Sequence, residues 1–129
     1  MTERLEMYRC EICGNLVEVI LGVAGELVCC GEPMTLLHAR NNDSEGLEKH
    51  VPVFDEIQDN KTKIRVGSIP HPMVNEHYVM FIEAVSKDNN ETHLKYLYPA
   101  DEPEMVTDLK NIAAREFCNI HGLWEGTND

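Results

Sequence analysis

Apolar and polar positions in this chain alternate far more often than they recur at helical spacing. Beyond residue 50, Val51-Pro52-Val53-Phe54 is followed by Ile57 and then by Thr62-Lys63-Ile64-Arg65-Val66, where apolar and polar side chains take turns. A period of two puts successive side chains on opposite faces of an extended chain, so these runs predict strands. Asp59-Asn60 between them has turn composition. Residues 77–85 are rich in Tyr, Val, Phe and Ile, and Lys87-Asp88-Asn89-Asn90-Glu91 separates them from a second strand-like run over 92–98. Residues 99–103 read as a loop and 111–118 as a final strand. Several short strands without a sustained helical period predict a mainly β protein, a small sandwich or barrel.

The first 36 residues behave differently. Short apolar runs over 16–21 and 26–28 are interrupted by Gly14, Gly22, Gly25 and Gly31. A segment below about 40 residues buries too little surface to fold unaided and usually needs a metal, disulfides or a partner. Ala39-Arg40-Asn41-Asn42-Asp43-Ser44-Glu45-Gly46 is polar and turn-rich, as a linker is. The expected organisation is a small domain over 1–37, a linker over 38–46 and a β domain over 47–129.

Charge narrows the function classes. With 11 basic against 23 acidic side chains, the net charge is −12. Nucleic acid and anionic membrane surfaces both require basic patches and are not expected partners. The longest strongly apolar stretch, near residues 19–24, is far short of the ~20 residues of a spanning helix. Met1-Thr2-Glu3-Arg4-Leu5-Glu6 contains no apolar signal region. A cytoplasmic protein is expected.

The candidate chemistry lies in the five cysteines and six histidines. Cys10, Cys13, Cys29 and Cys30 form C-x2-C, a gap of 15 residues and an adjacent pair. Two sulfurs from a tight knuckle and two more from a second segment complete a tetrahedron of thiolates that suits zinc or iron. An odd cysteine count makes a poor disulfide framework. The adjacent pair departs from the usual zinc ribbon, since neighbours on one metal impose a distorted angle. Cys118 stands apart, with His121 three residues beyond it. His50, His71 and His77 lie between, and the prolines flanking His71 exclude a helix there.

These motifs, in this order, resemble the desulfoferrodoxin family of two-iron superoxide reductases. The resemblance spans nearly the whole chain: C-x2-C-x15-C-C, Glu48-Lys49-His50-Val51-Pro52, Gly67-Ser68-Ile69-Pro70-His71-Pro72-Met73, Glu76-His77-Tyr78 and Cys118-Asn119-Ile120-His121-Gly122-Leu123-Trp124. It implies a desulforedoxin-like domain followed by an immunoglobulin-like β-sandwich, assembled as a homodimer. It implies one iron on Cys10, Cys13, Cys29 and Cys30, a place zinc could also fill. A second iron is implied on His50, His71, His77 and His121 in a plane, with Cys118 axial and the sixth position open. His38 and His93 are then left over as exposed side chains.

The implied activity is one-electron reduction of superoxide to hydrogen peroxide, with a rubredoxin-like protein as electron donor. A ferrous ion with four neutral imidazoles and one thiolate carries a first-shell charge of +1. Local field rather than overall charge must then draw the anion in. The resemblance gives Lys49 the attracting charge and a part in proton delivery, with a solvated surface lysine as the alternative. Glu48 is a carboxylate able to occupy the open position after the electron has left, or simply the ion-pair partner of Lys49. The four-thiolate iron gains negative charge on reduction, whereas the mixed site loses positive charge, which suggests that the first feeds the second.

Overall fold

The computed structural model describes residues 1–41 and 47–128, with Leu47 and Glu48 described by their backbone alone. Residues 42–46 of the expected linker, and Asp129, lie outside the described residues. The chain divides into two compact units, Met1–His38 and Ala39–Asp129.

The first unit is built from five very short strands: β1 (Met7–Arg9), β2 (Leu16–Glu18), β3 (Val28–Cys29), β4 (Glu32–Pro33) and β5 (Thr35–Leu36). β1 pairs antiparallel with both β2 and β5, and β3 and β4 form a separate hairpin. Met7 and Cys10 are its only fully buried side chains among the described residues. One of the two residues that fill its interior is thus a sulfur donor, and an apolar core in the usual sense is missing.

The second unit begins with one helical turn, α1 (Leu47–His50), and continues as strands β6 (Pro52–Ile57), β7 (Lys61–Val66), β8 (Val79–Ser86), β9 (Thr92–Tyr96), β10 (Glu104–Thr107), β11 (Ile112–Cys118) and β12 (Gly122–Thr127). They form a three-stranded sheet, β10-β7-β6, and a four-stranded sheet, β12-β11-β8-β9, with every pair antiparallel. Inward side chains from both sheets make one core of Ile64, Val66, Val79, Ile82, Leu97, Met105 and Ile112, with Ala84 and Ala114 filling the narrow places. This is a seven-stranded β-sandwich of the immunoglobulin type. Each of the larger buried side chains contributes roughly 1.5–3 kcal/mol, so this unit has a core that is independent of any metal.

Two local features steer the sandwich toward its site. The β8–β11 register slips between Phe117 and Cys118, where Phe117 faces Phe81 but Cys118 faces Val79. The additional residue, Met80, sits on β8, so Cys118 stays on the same inward face as Glu116 and Ala114. At Gly126 on β12 a Cβ would lie 2.8 Å from the Pro52 carbonyl oxygen, so only glycine lets the start of β6 pass so close.

Several strand limits differ from the sequence reading. β8 starts at Val79 rather than residue 77, because Val74 and His77 exchange backbone hydrogen bonds of 3.0 and 3.1 Å and close a tight turn first. β9 ends at Tyr96. β10 and β12 escaped the alternation rule: in β10, Met105 and Thr107 point inward while Val106 is exposed, and in β12 consecutive Leu123 and Trp124 are both buried.

Candidate metal centres

The first unit brings four sulfurs together. Donor atoms of Cys10, Cys13, Cys29 and Cys30 all lie within 4.8 Å of one another. The knuckle between Cys10 and Cys13 is closed by Gly14 N donating to Cys10 O and Cys10 N donating to Asn15 O, both at 2.9 Å, with Gly14 at a φ of 86°. The adjacent pair is accommodated by a hairpin. Cys29 faces Glu32 across β3 and β4, and the two loop residues Cys30 and Gly31 have φ values of 55° and 75°. Two consecutive left-handed residues mark a type I′ turn, usually Asn-Gly. Cys30 occupies the asparagine's place at a conformational cost of about 1–2 kcal/mol. The distortion expected for neighbouring donors is thus absorbed in the backbone.

The thiols differ in acidity. Cys10 is brought down to about 6, chiefly because the Cys13 amide N–H points at its sulfur from 3.4 Å. Cys30 is pushed up to about 12 by sharing protons with Cys13 and Cys29, and Cys29 is raised for the same reason by Cys10 and Cys13. Cys10 ionises readily, whereas Cys29 and Cys30 follow only when a cation compensates them.

The second unit brings together His50, His71, His77, His121 and Cys118. The histidines come from three segments: His50 from the end of α1, His71 and His77 from the β7–β8 connection, the first in its proline-rich part and the second in the turn before β8, and His121 from the β11–β12 loop. Their rings form a closed circuit, with centroids 4.7 Å apart for His50–His71, 4.8 Å for His71–His77, 5.1 Å for His77–His121 and 4.8 Å for His121–His50. Cys118 belongs both to a donor group with His50 and His71 and to one with His77 and His121, each within 4.8 Å. A single fully buried thiol therefore stands against all four rings.

Which nitrogen each ring presents follows from its other contacts. His71 Nδ1 lies 2.7 Å from the Pro72 carbonyl, to which it donates, so its buried Nε2 carries a free lone pair. His77 Nε2 is also buried without a hydrogen-bond partner. His50 turns Nδ1 toward Glu116 at 3.7 Å, which leaves Nε2 for the circuit. His121 Nδ1 faces the Cys118 sulfur at 4.0 Å. Burial holds three of the imidazoles neutral: His50 is lowered to about 4, and His71 and His77 are lowered as well. Burial also raises the Cys118 thiol, although the Ile120 and His121 amide groups oppose this and favour the anion. Buried, uncharged rings of His50, His71 and His77, joined by His121 around one sulfur, are the arrangement a divalent metal with nitrogen and sulfur ligands requires.

Neighbouring groups brace the circuit. Trp124 stacks on His50 with centroids 4.8 Å apart and 15° between planes, and its Nε1 donates to the His121 carbonyl at 3.2 Å. Asn119 ties two loops together: its Oδ1 accepts from Tyr78 N at 2.9 Å and its Nδ2 donates to Glu76 O at 3.0 Å. Its own N donates to Tyr78 O at 3.2 Å, so His77 is pinned on both sides to the residue after Cys118. Glu116 is fully buried beside His50, and burial alone pushes its carboxyl well above the usual range.

Lys49 is exposed next to His50, and its charge acts on His71 and His77. The Glu48 side chain lies outside the described residues. His38 is exposed as expected, but His93 is not: it is half-buried, with Nδ1 2.8 Å from Thr107 Oγ1 and Nε2 3.6 Å from Glu91. Glu116, Asn119 and Arg40 were not singled out by the sequence reading. Asn119 sits inside a quoted motif, and that position was its only signal.

Comparison with known proteins agrees with this architecture. The family model of the desulfoferrodoxin N-terminal domain matches residues 2–37 and that of desulfoferrodoxin matches residues 42–127. A desulfoferrodoxin homolog from Archaeoglobus fulgidus is 47% identical over 127 residues, covering 97% of this chain and 98% of that protein. The superoxide reductase of Pyrococcus horikoshii is 34% identical over 107 residues, covering 67% of this chain and 90% of its own. The crystal structure of the superoxide reductase from Treponema pallidum superposes with a TM-score of 0.73 at 27% identity, over 98% of this chain and 99% of that one. The chain belongs to the desulfoferrodoxin family.

Proposed function

We propose that this protein is a superoxide reductase, which combines superoxide with one electron and two protons to give hydrogen peroxide. The observation that carries the reading is the closed circuit of four imidazoles around one buried thiol. In this proposal His50, His71, His77, His121 and Cys118 hold one iron, and Cys10, Cys13, Cys29 and Cys30 hold a second. Zinc is the alternative at the four-cysteine centre, because tetrahedral thiolates accept both. Bound ferrous iron at the histidine-rich centre supplies the electron.

The chain's own side chains do the remaining work. Neutral imidazoles add no charge of their own, so the single thiolate is the only protein charge on the centre and would leave bound ferrous iron with a net +1 to attract an anion. The Ile120 and His121 amides favour that thiolate. Cys118 is fully buried whereas His121 is exposed, so a small anion reaches the circuit from the side away from the sulfur. Lys49 offers that anion a positive charge on a protein of net charge −12 and delivers a proton through water. Glu48, its neighbour in the chain, completes the proposed set as a carboxylate that approaches once the anion has reacted.

The finer proposals follow from the same reading. Residues 1–37 form the four-cysteine domain, 38–46 the linker and 47–129 the reductase domain. Electrons come from a small redox protein of the rubredoxin kind. Thiolate centres survive in a reducing compartment, which supports the cytoplasm, and no described helix is long and apolar enough to cross a membrane. A homodimer is supported by the first unit's exposed Ile20, Leu21, Val23 and Val28, which lie along one apolar groove.

Pulse radiolysis tests the activity. Reduced protein mixed with generated superoxide should be oxidised rapidly at the histidine-rich iron, with one hydrogen peroxide per iron. An iron that stays reduced under saturating superoxide would make the protein an electron carrier instead.

A further inference from the structure

Arg40 stands in the polar stretch that the sequence marks only as linker. In the fold it runs beside β12: Arg40 N donates to Leu123 O at 3.0 Å, and Glu125 N donates to Arg40 O at 2.9 Å. Its guanidinium carbon lies 4.3 Å from the centroid of a Trp124 ring, well within cation–π range. The same indole stacks on His50. Arg40 Nη1 also donates to the His121 carbonyl at 3.2 Å, the oxygen that accepts from Trp124 Nε1. One side chain therefore reaches two of the four rings by separate routes, His50 through the indole and His121 through its backbone. It does so from the surface, since Arg40 is exposed. His121 is exposed on a three-residue loop, so a clamp on its carbonyl restrains a ring that packing leaves loose.

We propose that Arg40 is a positioning residue of the histidine-rich centre, fixing the His121 loop and the Trp124–His50 stack while placing a permanent positive charge beside them. The inference rests on the metal-site reading above. A guanidinium suits both tasks, because its planar face stacks while its N–H groups donate at the edge. Lysine keeps the charge but loses the simultaneous stack and hydrogen bond. Glutamine keeps a planar donor but loses the charge.

Three readouts on the iron-loaded protein and its metal-free form test this. Trp124 is the only tryptophan, so acrylamide quenching of metal-free protein reports the stack directly, and it should rise about twofold in Arg40→Ala. Transfer of the histidine-rich iron to a chelator should be about tenfold faster in Arg40→Ala and Arg40→Lys, and near native in Arg40→Gln. Removing the charge should shift the reduction equilibrium about threefold toward ferric iron, or ~30 mV, in Arg40→Ala and Arg40→Gln, while Arg40→Lys restores it. Unchanged quenching in Arg40→Ala overturns the stack, and unchanged release together with an unchanged potential overturns the positioning role. Native protein that holds no metal at this centre, with quenching still raised in the variant, overturns the functional reading itself and the proposed role with it.

Discussion

The two candidate centres are built in opposite ways. The four-sulfur centre is local: all its donors fall within 21 consecutive residues, Cys10 to Cys30, in a unit whose only fully buried described side chains are Met7 and Cys10. The histidine-rich centre is distributed: its donors run from His50 to His121 and meet only because a sandwich with its own apolar core brings three separate segments together. In the first, a bound metal would take the place of a core. In the second, the core exists beforehand and presents the donors already oriented. Folding and metal binding should be one event in the first unit and two separable events in the second.

The largest expected effect breaks that contrast directly. Cys13→Ser removes one of four thiolates from a unit with almost no other interior. Structural metals in small domains contribute on the order of 10 kcal/mol, so the first unit should lose both its metal and its amide-exchange protection. The sandwich should keep its protection, and its peroxide formation from superoxide should persist. Loss of that chemistry in the same variant would show the two centres to be coupled.

Proton release sharpens the contrast. Metal uptake at the histidine-rich centre must displace chiefly the Cys118 proton, because His50, His71 and His77 are all shifted toward the neutral form. At the four-cysteine centre Cys10 ionises near pH 6, but Cys29 and Cys30 are raised and must both lose protons. Raised pKa values hold protons on the free ligands, so affinity increases with pH at both centres. Between pH 7 and 8 zinc affinity should rise about tenfold at the histidine-rich centre and far more steeply at the other, as competition titrations on the separate-site variants would report. Equal slopes would contradict the difference in construction.

Lys49→Ala should slow bimolecular capture of superoxide about tenfold and flatten its dependence on ionic strength. A rate that keeps its salt dependence would remove Lys49 from the reaction. The smallest effect belongs to Asn119→Ala, which releases the tie between the His77 turn and the β11–β12 loop. Metal-free protein should lose about 1–3 kcal/mol in denaturant unfolding, and Asn119→Asp should recover only the part due to the Tyr78 contact.

The same contrast governs what the sequence made legible. Cys10, Cys13, Cys29 and Cys30 announce themselves by spacing, because a local site is written in consecutive residues. Cys30 was legible as a donor but not as the left-handed residue that makes the adjacent pair feasible, since cysteine carries no such preference. His50, His71, His77 and His121 have no common period, and only the order of their motifs connected them with Cys118. Arg40, Glu116 and Asn119 act across long stretches of chain through packing, which no local pattern encodes. His77 was drawn into a strand by the Tyr and Val after it, although its exchange of hydrogen bonds with Val74 belongs to a turn. β12 was missed because Leu123 and Trp124 are buried in succession, which hides the alternation that identifies a strand with one exposed face.

The central claim is that four imidazoles and the Cys118 sulfur hold one metal and leave one face open. X-ray absorption at the iron edge of reduced Cys13→Ser protein, loaded at the histidine-rich centre alone, tests it most directly. The account predicts a shell of four imidazole nitrogens and one sulfur. A shell without sulfur, or with a sixth protein donor in the reduced state, would contradict it.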